Sequence, residues 1–391
     1  MEFGSVGQEQ RVVTQLNCAE KWRPQRSKPS KGLLGTVTAR GRPDLNEVAL
    51  EKSRTSATYR KRLEQALAVL LCWVCASAFA ASSWLDDPLI TNQVLCEWIQ
   101  HVFQIGGKIS LARHGILAVQ TSRREMKGKL GRAWDALKSW QLKSPLKSRV
   151  PMPETIMRAF FTFSLAEALA ASKDLDTLSA FSFAILVRLG FHCLLRPAEI
   201  LKLTAADVRL PVSAYEPRRA VIRLIDPKNR SSLGRFQFVM VDDEGLVSWL
   251  QWFLEGVNGS VKLWPGSSAK FTKRFRHTLA RLGLSRLPIT PGCLRPGGAT
   301  RAFLEGASVS SLKYRGRWRQ ESSLEVYIQE AMSHLLATDL SQHEYDTIHS
   351  LLCSAQPQWL SPPPLPWAHY FSRGAQWRKN LQSAFNIFKP L

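Results

Sequence analysis

A short stretch between residues 293 and 327 contains side chains that could perform chemistry together. Arg295 lies in an apolar, glycine-rich run, Trp318 follows Gly316, and Tyr327 comes a few residues later. A guanidinium can bind a phosphate through paired hydrogen bonds, an indole can donate a further hydrogen bond, and a tyrosine hydroxyl can act as a nucleophile. These are the residue types needed to hold a phosphodiester and attack it.

Cutting DNA without a metal needs two further groups, a second guanidinium and a cationic acid for the leaving oxygen. Arg196 comes at the predicted start of a helix, followed by Pro197 and Glu199, where the helix dipole also favours phosphate. Lys228 lies on the tip of a predicted β-hairpin and could reach the leaving oxygen. The candidate catalytic residues are Arg196, Lys228, Arg295, Trp318 and Tyr327.

The composition favours a polyanionic partner. The chain has 391 residues, and 53 Lys and Arg against 31 Asp and Glu give a net charge of +22. Seven cysteines, an odd number, do not suggest a disulfide framework and favour a reducing compartment. Cys72 and Cys75 have no second pair at metal spacing, so they are expected to be core thiols, and no metal or small-molecule cofactor is predicted.

No membrane segment or signal peptide is predicted. The apolar run at 66–81 is shorter than the roughly 18 residues that a membrane span needs, and it follows a basic amphipathic segment. The amino-terminal residues lack a charged start followed by an apolar core. The sequence is therefore expected to belong to a soluble intracellular protein.

Hydrophobic periodicity divides the chain into several segments. Residues 1–51 are polar and basic without periodicity, which predicts a disordered arm. Residues 52–142 carry four amphipathic helical patterns, which predict a small helical domain, and its basic residues could line a DNA-binding side or be scattered surface charge. A proline-rich and basic stretch at 143–153 predicts a linker, a second domain follows at 154–338, and the remainder, 339–391, is treated as a tail.

The second domain is predicted to be helical except for one hairpin. Residues 220–225 and 236–241 are rich in β-branched and aromatic residues and are separated by a basic, turn-forming segment. Helical patterns flank them on both sides. The fold class is therefore predicted to be mainly α with a small antiparallel β-sheet.

The order of these motifs resembles the tyrosine recombinase, or phage integrase, family. The five candidates match the family's first arginine, its hairpin lysine, the arginine of its His-x-x-Arg motif, its third-motif residue and its nucleophile: Arg196, Lys228, Arg295, Trp318 and Tyr327. Tyr327 follows Trp318 by nine positions, which is the usual spacing. The forms at 294–300 and at Trp318 are most similar to recombinases of eukaryotic mobile elements, such as Crypton-like elements or tyrosine-recombinase retroelements.

This resemblance implies a core-binding domain and a catalytic domain that clamp double-stranded DNA. Tyr327 would form a 3′-phosphotyrosyl intermediate, and the arginines and Trp318 would stabilise the transition state. Lys228 would be the general acid. The family also implies a homo-tetramer on DNA with exchanged carboxyl-terminal segments, no cofactor, and a nuclear location.

One position departs from the family pattern. Gly292 stands where His-x-x-Arg has its histidine, and losing one acid or base group typically lowers a rate by about 10²–10⁴. His192 or His277 could replace it in space. A catalytically silent DNA-binding protein derived from a mobile element is therefore an alternative, and a helical scaffold for RNA or acidic proteins is a third. Tyr314 and Tyr345 are rival nucleophiles.

Overall fold

The computed structural model describes residues 55–354 and 362, except 78, 80–82, 145–149, 171–173, 212–217, 230–233 and 235. The predicted arm at 1–51 lies outside the described residues, as does most of 355–391. The chain divides into two compact units, with the boundary between Lys147 and Ser148. This boundary falls within the stretch predicted as a linker, 143–153.

The described residues of the first unit form four α-helices. These are α1 Ala57–Cys75, α2 Pro88–Gln104, α3 Ile109–Ser122 and α4 Gly131–Lys143. Helix α2 begins three residues before the expected Thr91, because Asp87 caps it and Pro88 suits its first turn. Its core includes Leu70, Trp98 and Ile116.

Cys72 and Cys75 are exposed on α1, so their prediction as core thiols was wrong. The buried residues of α1 are Leu63, Ala66, Leu70 and Val74. At about 100° per residue, Cys72 falls on the face opposite this buried stripe and Cys75 falls to one side of it.

The helices of the second unit surround one large apolar core that includes Phe160, Phe183 and Trp249. In chain order they are α5 Glu154–Ala170, α6 Asp174–His192, α7 Pro197–Ile200, α8 Glu244–Leu254, α9 Ser268–Arg281, α10 Leu294–Leu304, α11 Val309–Gly316, α12 Glu321–Glu325, α13 Glu330–Thr338 and α14 Gln342–Ser354. Helix α14 lies in the segment treated as a tail, and its Ile348 and Leu351 join the core.

The sheet has three antiparallel strands in the order β1 Val208–Arg209, β2 Ala220–Ile225 and β3 Phe236–Val241. Strands β2 and β3 have the predicted bounds, and Ala220 pairs with Val241. Strand β1 was not predicted, since a two-residue strand has no periodicity to detect. The predicted fold class, mainly α with a small antiparallel sheet, is confirmed.

No helix within the described ranges combines the length and apolar character needed to cross a membrane.

Candidate active site

Arg196 is held by the carboxylate of Glu199, which lies in the first turn of the short helix α7. The backbone N–H of Arg196 donates to Glu199 Oε2 at 2.9 Å, and its Nη1 donates to Glu199 Oε1 at 2.7 Å. Pro197 fills the first helical position, where a backbone donor is not needed. The sequence Arg-Pro-Ala-Glu therefore folds into a capped turn that fixes the arginine beside its own acid.

Arg295 lies in the first turn of α10 and is only 2% exposed. Its Nη1 donates to the carbonyl of Leu194 at 2.7 Å, and its Nη2 donates to the carbonyl of Gly316. The close packing of α10 depends on glycine, because a Cβ at Gly298 would lie 1.9 Å from the carbonyl oxygen of Phe191. The glycine-rich sequence after Arg295 thus brings this guanidinium to the end of α6.

Trp318 covers the guanidinium of Arg295. The Cζ atom of Arg295 is 4.1 Å from the centroid of the Trp318 ring, which is within cation–π range. Gly316 makes room for the indole, since a Cβ there would lie 1.6 Å from Trp318 Cζ3. Trp318 is itself 7% exposed, so the pair forms a nearly closed stack.

Tyr327 completes this stack from the turn between α12 and α13. Its ring centroid is 5.3 Å from that of Trp318 and 5.7 Å from Arg295 Cζ. Thr300, on α10, donates its hydroxyl to the carbonyl of Tyr327 at 3.1 Å and accepts from the N–H of Gln329 at 3.2 Å. The helix that carries Arg295 therefore also anchors the segment that carries Tyr327.

Lys228 lies on the turn between β2 and β3 and is exposed. It lines an open cavity of about 660 Å³ together with Arg196 and Glu199. Within the described part of the chain, Lys228 forms no hydrogen bond or ion pair with the other four candidates. The structure thus brings Arg295, Trp318 and Tyr327 into contact and places Lys228 on the same cavity as Arg196.

Arg317, for which the sequence predicts no role, is buried in this site. Its Nη2 pairs with Glu199 Oε2 at 3.0 Å, and its carbonyl accepts a hydrogen bond from Asn229 Nδ2 at 2.9 Å. Arg317 has a left-handed backbone, with φ of 58°. The only sequence signal for a role of Arg317 was its position between Gly316 and Trp318. A position in the sequence does not show that the side chain is buried.

The site has more positive than negative charge. Burial, together with Arg196 and Arg317, lowers the pKa of Arg295 to about 9, so it remains protonated at neutral pH. Burial raises the pKa of Glu199, but Arg317 and Arg196 more than offset this and hold that pKa below its ordinary value. Glu199 thus faces several cations, an arrangement that favours binding of a phosphate.

Gly292, three residues before Arg295, belongs to a 3₁₀ turn at Pro291–Cys293. A Cβ built there would meet only Thr290 Oγ1, at 3.5 Å. The backbone at this position therefore leaves room for a side chain.

The two histidines considered as replacements are engaged elsewhere. His192 Nδ1 lies 3.1 Å from Arg301 Nη1 and must accept its hydrogen, while Nε2 lies 3.7 Å from Asp243. Burial lowers the pKa of His192 to about 3, so it is neutral and poorly suited to donate a proton. His277 Nε2 lies 2.9 Å from Glu167 Oε1, on the face between α9 and α5.

The rival tyrosines lie on the surface. Tyr314 is 88% exposed on α11. Tyr345 is 52% exposed on α14, where its ring stacks on His349 with centroids 5.9 Å apart. Tyr327 is the tyrosine that stacks with Trp318.

No protein-family model matches the sequence, and no curated protein matches it. Solved structures do match. The Tn1549 transposon integrase, in complex with transposon right end DNA, is similar with a TM-score of 0.50 and 12% identity, over 74% of this chain and 96% of that chain. The XerH site-specific recombinase, bound to palindromic difH substrate, matches with a TM-score of 0.46 and 13% identity, over 70% of this chain and 78% of that one.

At 12% identity, the match to the integrase shows a shared fold and nothing finer. The match extends over 74% of this chain and 96% of the integrase chain. This chain therefore shares the fold of the integrase over most of its length.

Proposed function

We propose that this protein is a site-specific DNA recombinase or integrase that cleaves and rejoins duplex DNA through a 3′-phosphotyrosyl intermediate. The observation that carries the proposal is the stack of Arg295, Trp318 and Tyr327. A buried arginine could be structural, and so could a buried tryptophan. A tyrosine whose ring contacts both, tilted by 60° against the indole, on an anchored segment and beside an excess of cations, is better explained by a nucleophile next to a phosphate site.

In the proposed reaction, Tyr327 Oη bonds to the scissile phosphorus while the bond from phosphorus to the 5′ oxygen breaks. The hydroxyl proton of Tyr327 passes to solvent, and Lys228 gives a proton to the departing 5′ oxygen. Arg196 and Arg295 would bind the non-bridging oxygens and stabilise charge that develops there. Rejoining is the same step in reverse, so neither ATP nor a metal is required.

The buried state of Arg295 has a consequence for this reaction. With 2% of the residue exposed and an indole across its face, a phosphate oxygen cannot reach the guanidinium in the geometry described. DNA binding would therefore displace Trp318 from the face of Arg295. The indole N–H of Trp318 could then donate a hydrogen bond to the phosphate, as expected of the residue at the family's third-motif position.

Double-stranded DNA is the proposed partner because exposed cations cluster on both units. In the first unit, the exposed basic residues on or near α3 and α4 include Arg123, Arg124, Lys127, Lys129 and Arg132. In the second, the outer side of α9 carries Lys270, Lys273, Arg276 and Arg281. Such clusters neutralise phosphates and make binding depend on salt.

We also propose a homo-tetramer on DNA, as the resemblance to the tyrosine recombinase family implies, a nuclear location, and an origin in a eukaryotic mobile element. The second candidate function is a catalytically silent DNA-binding protein derived from such an element. Gly292 favours that alternative, because the general acid or base expected there is missing and neither His192 nor His277 replaces it.

Covalent trapping distinguishes the two functions. The protein would be incubated with a library of nicked duplexes that lose the cleaved fragment, quenched in detergent, and compared with Tyr327→Phe. A covalent adduct in the wild type and in Tyr314→Phe, absent in Tyr327→Phe and mapped to Tyr327 by mass spectrometry, supports the recombinase. Salt-dependent duplex binding without any adduct would instead support the silent DNA-binding protein.

A further inference from the structure

Arg317 occupies a position that an arginine rarely fills. It ends α11 with φ of 58° and ψ of 43°, a left-handed conformation in which glycine is strongly preferred. Exposed residues occur on either side of this turn, yet the side chain of Arg317 is only 7% exposed. Both the backbone and the buried charge are unfavourable by themselves, so the residue must gain from its contacts.

The guanidinium of Arg317 shares an acid with Arg196. Glu199 uses Oε1 to hold Arg196 Nη1 at 2.7 Å and Oε2 to hold Arg317 Nη2 at 3.0 Å. Without Arg317, Glu199 Oε2 would lose its charged partner and keep only the backbone N–H of Arg196, at 2.9 Å. Arg317 thus adds to the orientation of Arg196 through the carboxylate of Glu199.

The backbone of Arg317 holds the turn that carries Lys228. Asn229, the next residue after Lys228, donates its Nδ2 to the carbonyl of Arg317 at 2.9 Å. Asn229 Oδ1 in turn accepts from Gln237 Nε2, at 3.1 Å, on β3. The amide of Asn229 therefore ties the tip of the hairpin to the residue that precedes Trp318.

We propose that Arg317 is a positioning residue, which orients Arg196 through the carboxylate of Glu199 and orients Lys228 through the amide of Asn229. This inference rests on the proposed function, since it assigns Arg317 to the same reaction. Two buried donors of Arg317, Nε and Nη1, have no hydrogen-bond partner within the described residues. Stability alone would not favour such a residue here, because an unpaired buried donor is costly.

The guanidinium contact is tested with Arg317→Gln and Arg317→Lys, which share a backbone preference but differ in charge. Arg319→Gln is the matched control, since Arg319 is exposed two residues away. Single-turnover cleavage at saturating duplex should fall by roughly 10²-fold in Arg317→Gln, as expected when a reacting group is misplaced. Arg317→Lys should recover part of the rate, while the Kd for duplex stays that of the wild type in all three variants.

The amide contact is tested with Asn229→Ala on two substrates. One is the ordinary duplex, and the other has sulfur in place of the 5′ bridging oxygen, so that its leaving group needs no proton. If Asn229 positions Lys228, the variant should be slow on the ordinary duplex and close to wild type on the sulfur-containing one. Equal losses on both substrates, or a rate for Arg317→Gln equal to that of Arg319→Gln, would overturn the inference.

Hydrogen exchange measured by mass spectrometry separates this inference from the proposed function. In Arg317→Gln, amides of residues 196–201 should exchange faster than in Arg319→Gln, because the cap of α7 is loosened. A wild-type protein that forms no adduct contradicts the proposed function, and the exchange measurement then decides the inference alone. Unchanged exchange in Arg317→Gln would contradict the positioning role.

Discussion

At the scale of single residues, the backbone of Gly292 has space beside it for a Cβ atom. A Cβ there meets only Thr290 Oγ1, at 3.5 Å. We predict that Gly292→His accelerates single-turnover cleavage, by up to about 10²-fold, because an acid or base is restored beside Arg295. Gly292→Ala controls for the loss of glycine, and a histidine variant no faster than the alanine variant would contradict the prediction.

His192 should make the fold sensitive to acid. Burial lowers its folded pKa to about 3 from 6.5, despite Asp243 nearby, while Arg188, Arg301 and Arg315 also oppose its charge. Between these values the unfolded chain binds a proton that the folded chain does not. Stability should therefore be full above pH 6.5 and fall as the pH drops, by up to about 1.4 kcal/mol per pH unit.

Urea unfolding at several pH values checks this prediction with His192→Asn. The asparagine can still accept from Arg301, so the variant should lose stability near neutral pH but show a flatter dependence down to about pH 4. Burial raises the pKa of Asp243, but Arg188 helps to lower it by more than that, so this pKa lies below its ordinary 3.8. Asp243 therefore contributes to the pH dependence of stability only at more acidic pH.

At the scale of elements, α10 carries Arg295 in its first turn and Thr300 near its middle. We predict that Thr300→Val slows cleavage without weakening duplex binding, because the segment of Tyr327 loses two hydrogen bonds. The free energy of unfolding should also fall by about 1 kcal/mol per buried hydrogen bond lost. Thr338→Val makes the same chemical change at an exposed position, and an equal slowing in that variant would count against the role of Thr300.

Much of the second unit follows from local sequence signals. Strands β2 and β3 have the predicted bounds because their β-branched and aromatic runs end at clear turn residues. Helix α7 follows from Pro197 and Glu199. Strand β1 could not be predicted, since its two residues pair only because β2 lies beside them.

The candidate active site could also be predicted in part, because some of its residues follow local sequence signals. The stack of Arg295, Trp318 and Tyr327 joins residues whose order and spacing are visible in the sequence. The burial of Arg317 and its bond to Asn229 depend on contacts between residues 88 positions apart, which periodicity does not reveal. The roles of the five candidates stay predictions until adducts are measured.

At the scale of the whole molecule, the net charge of +22 predicts duplex binding that weakens as salt rises. Lys273, exposed on α9, is expected to contact a phosphate. Lys273→Gln should therefore make the slope of log K against log salt less steep by about 0.9. Lys138→Gln is the control, since Lys138 is already paired with Asp135 at 2.9 Å, and an equal change in slope there would contradict a specific role for α9.

The stack of Arg295, Trp318 and Tyr327 is formed within a single chain. If copies of the protein assemble on DNA, each copy would bring its own nucleophile to its own phosphate site, an arrangement of cleavage in cis. Two copies that are inactive for different reasons, one lacking Tyr327 and one lacking Arg295, would then be unable to complement each other. Inactive subunits would instead act as dominant inhibitors of any assembly that they join.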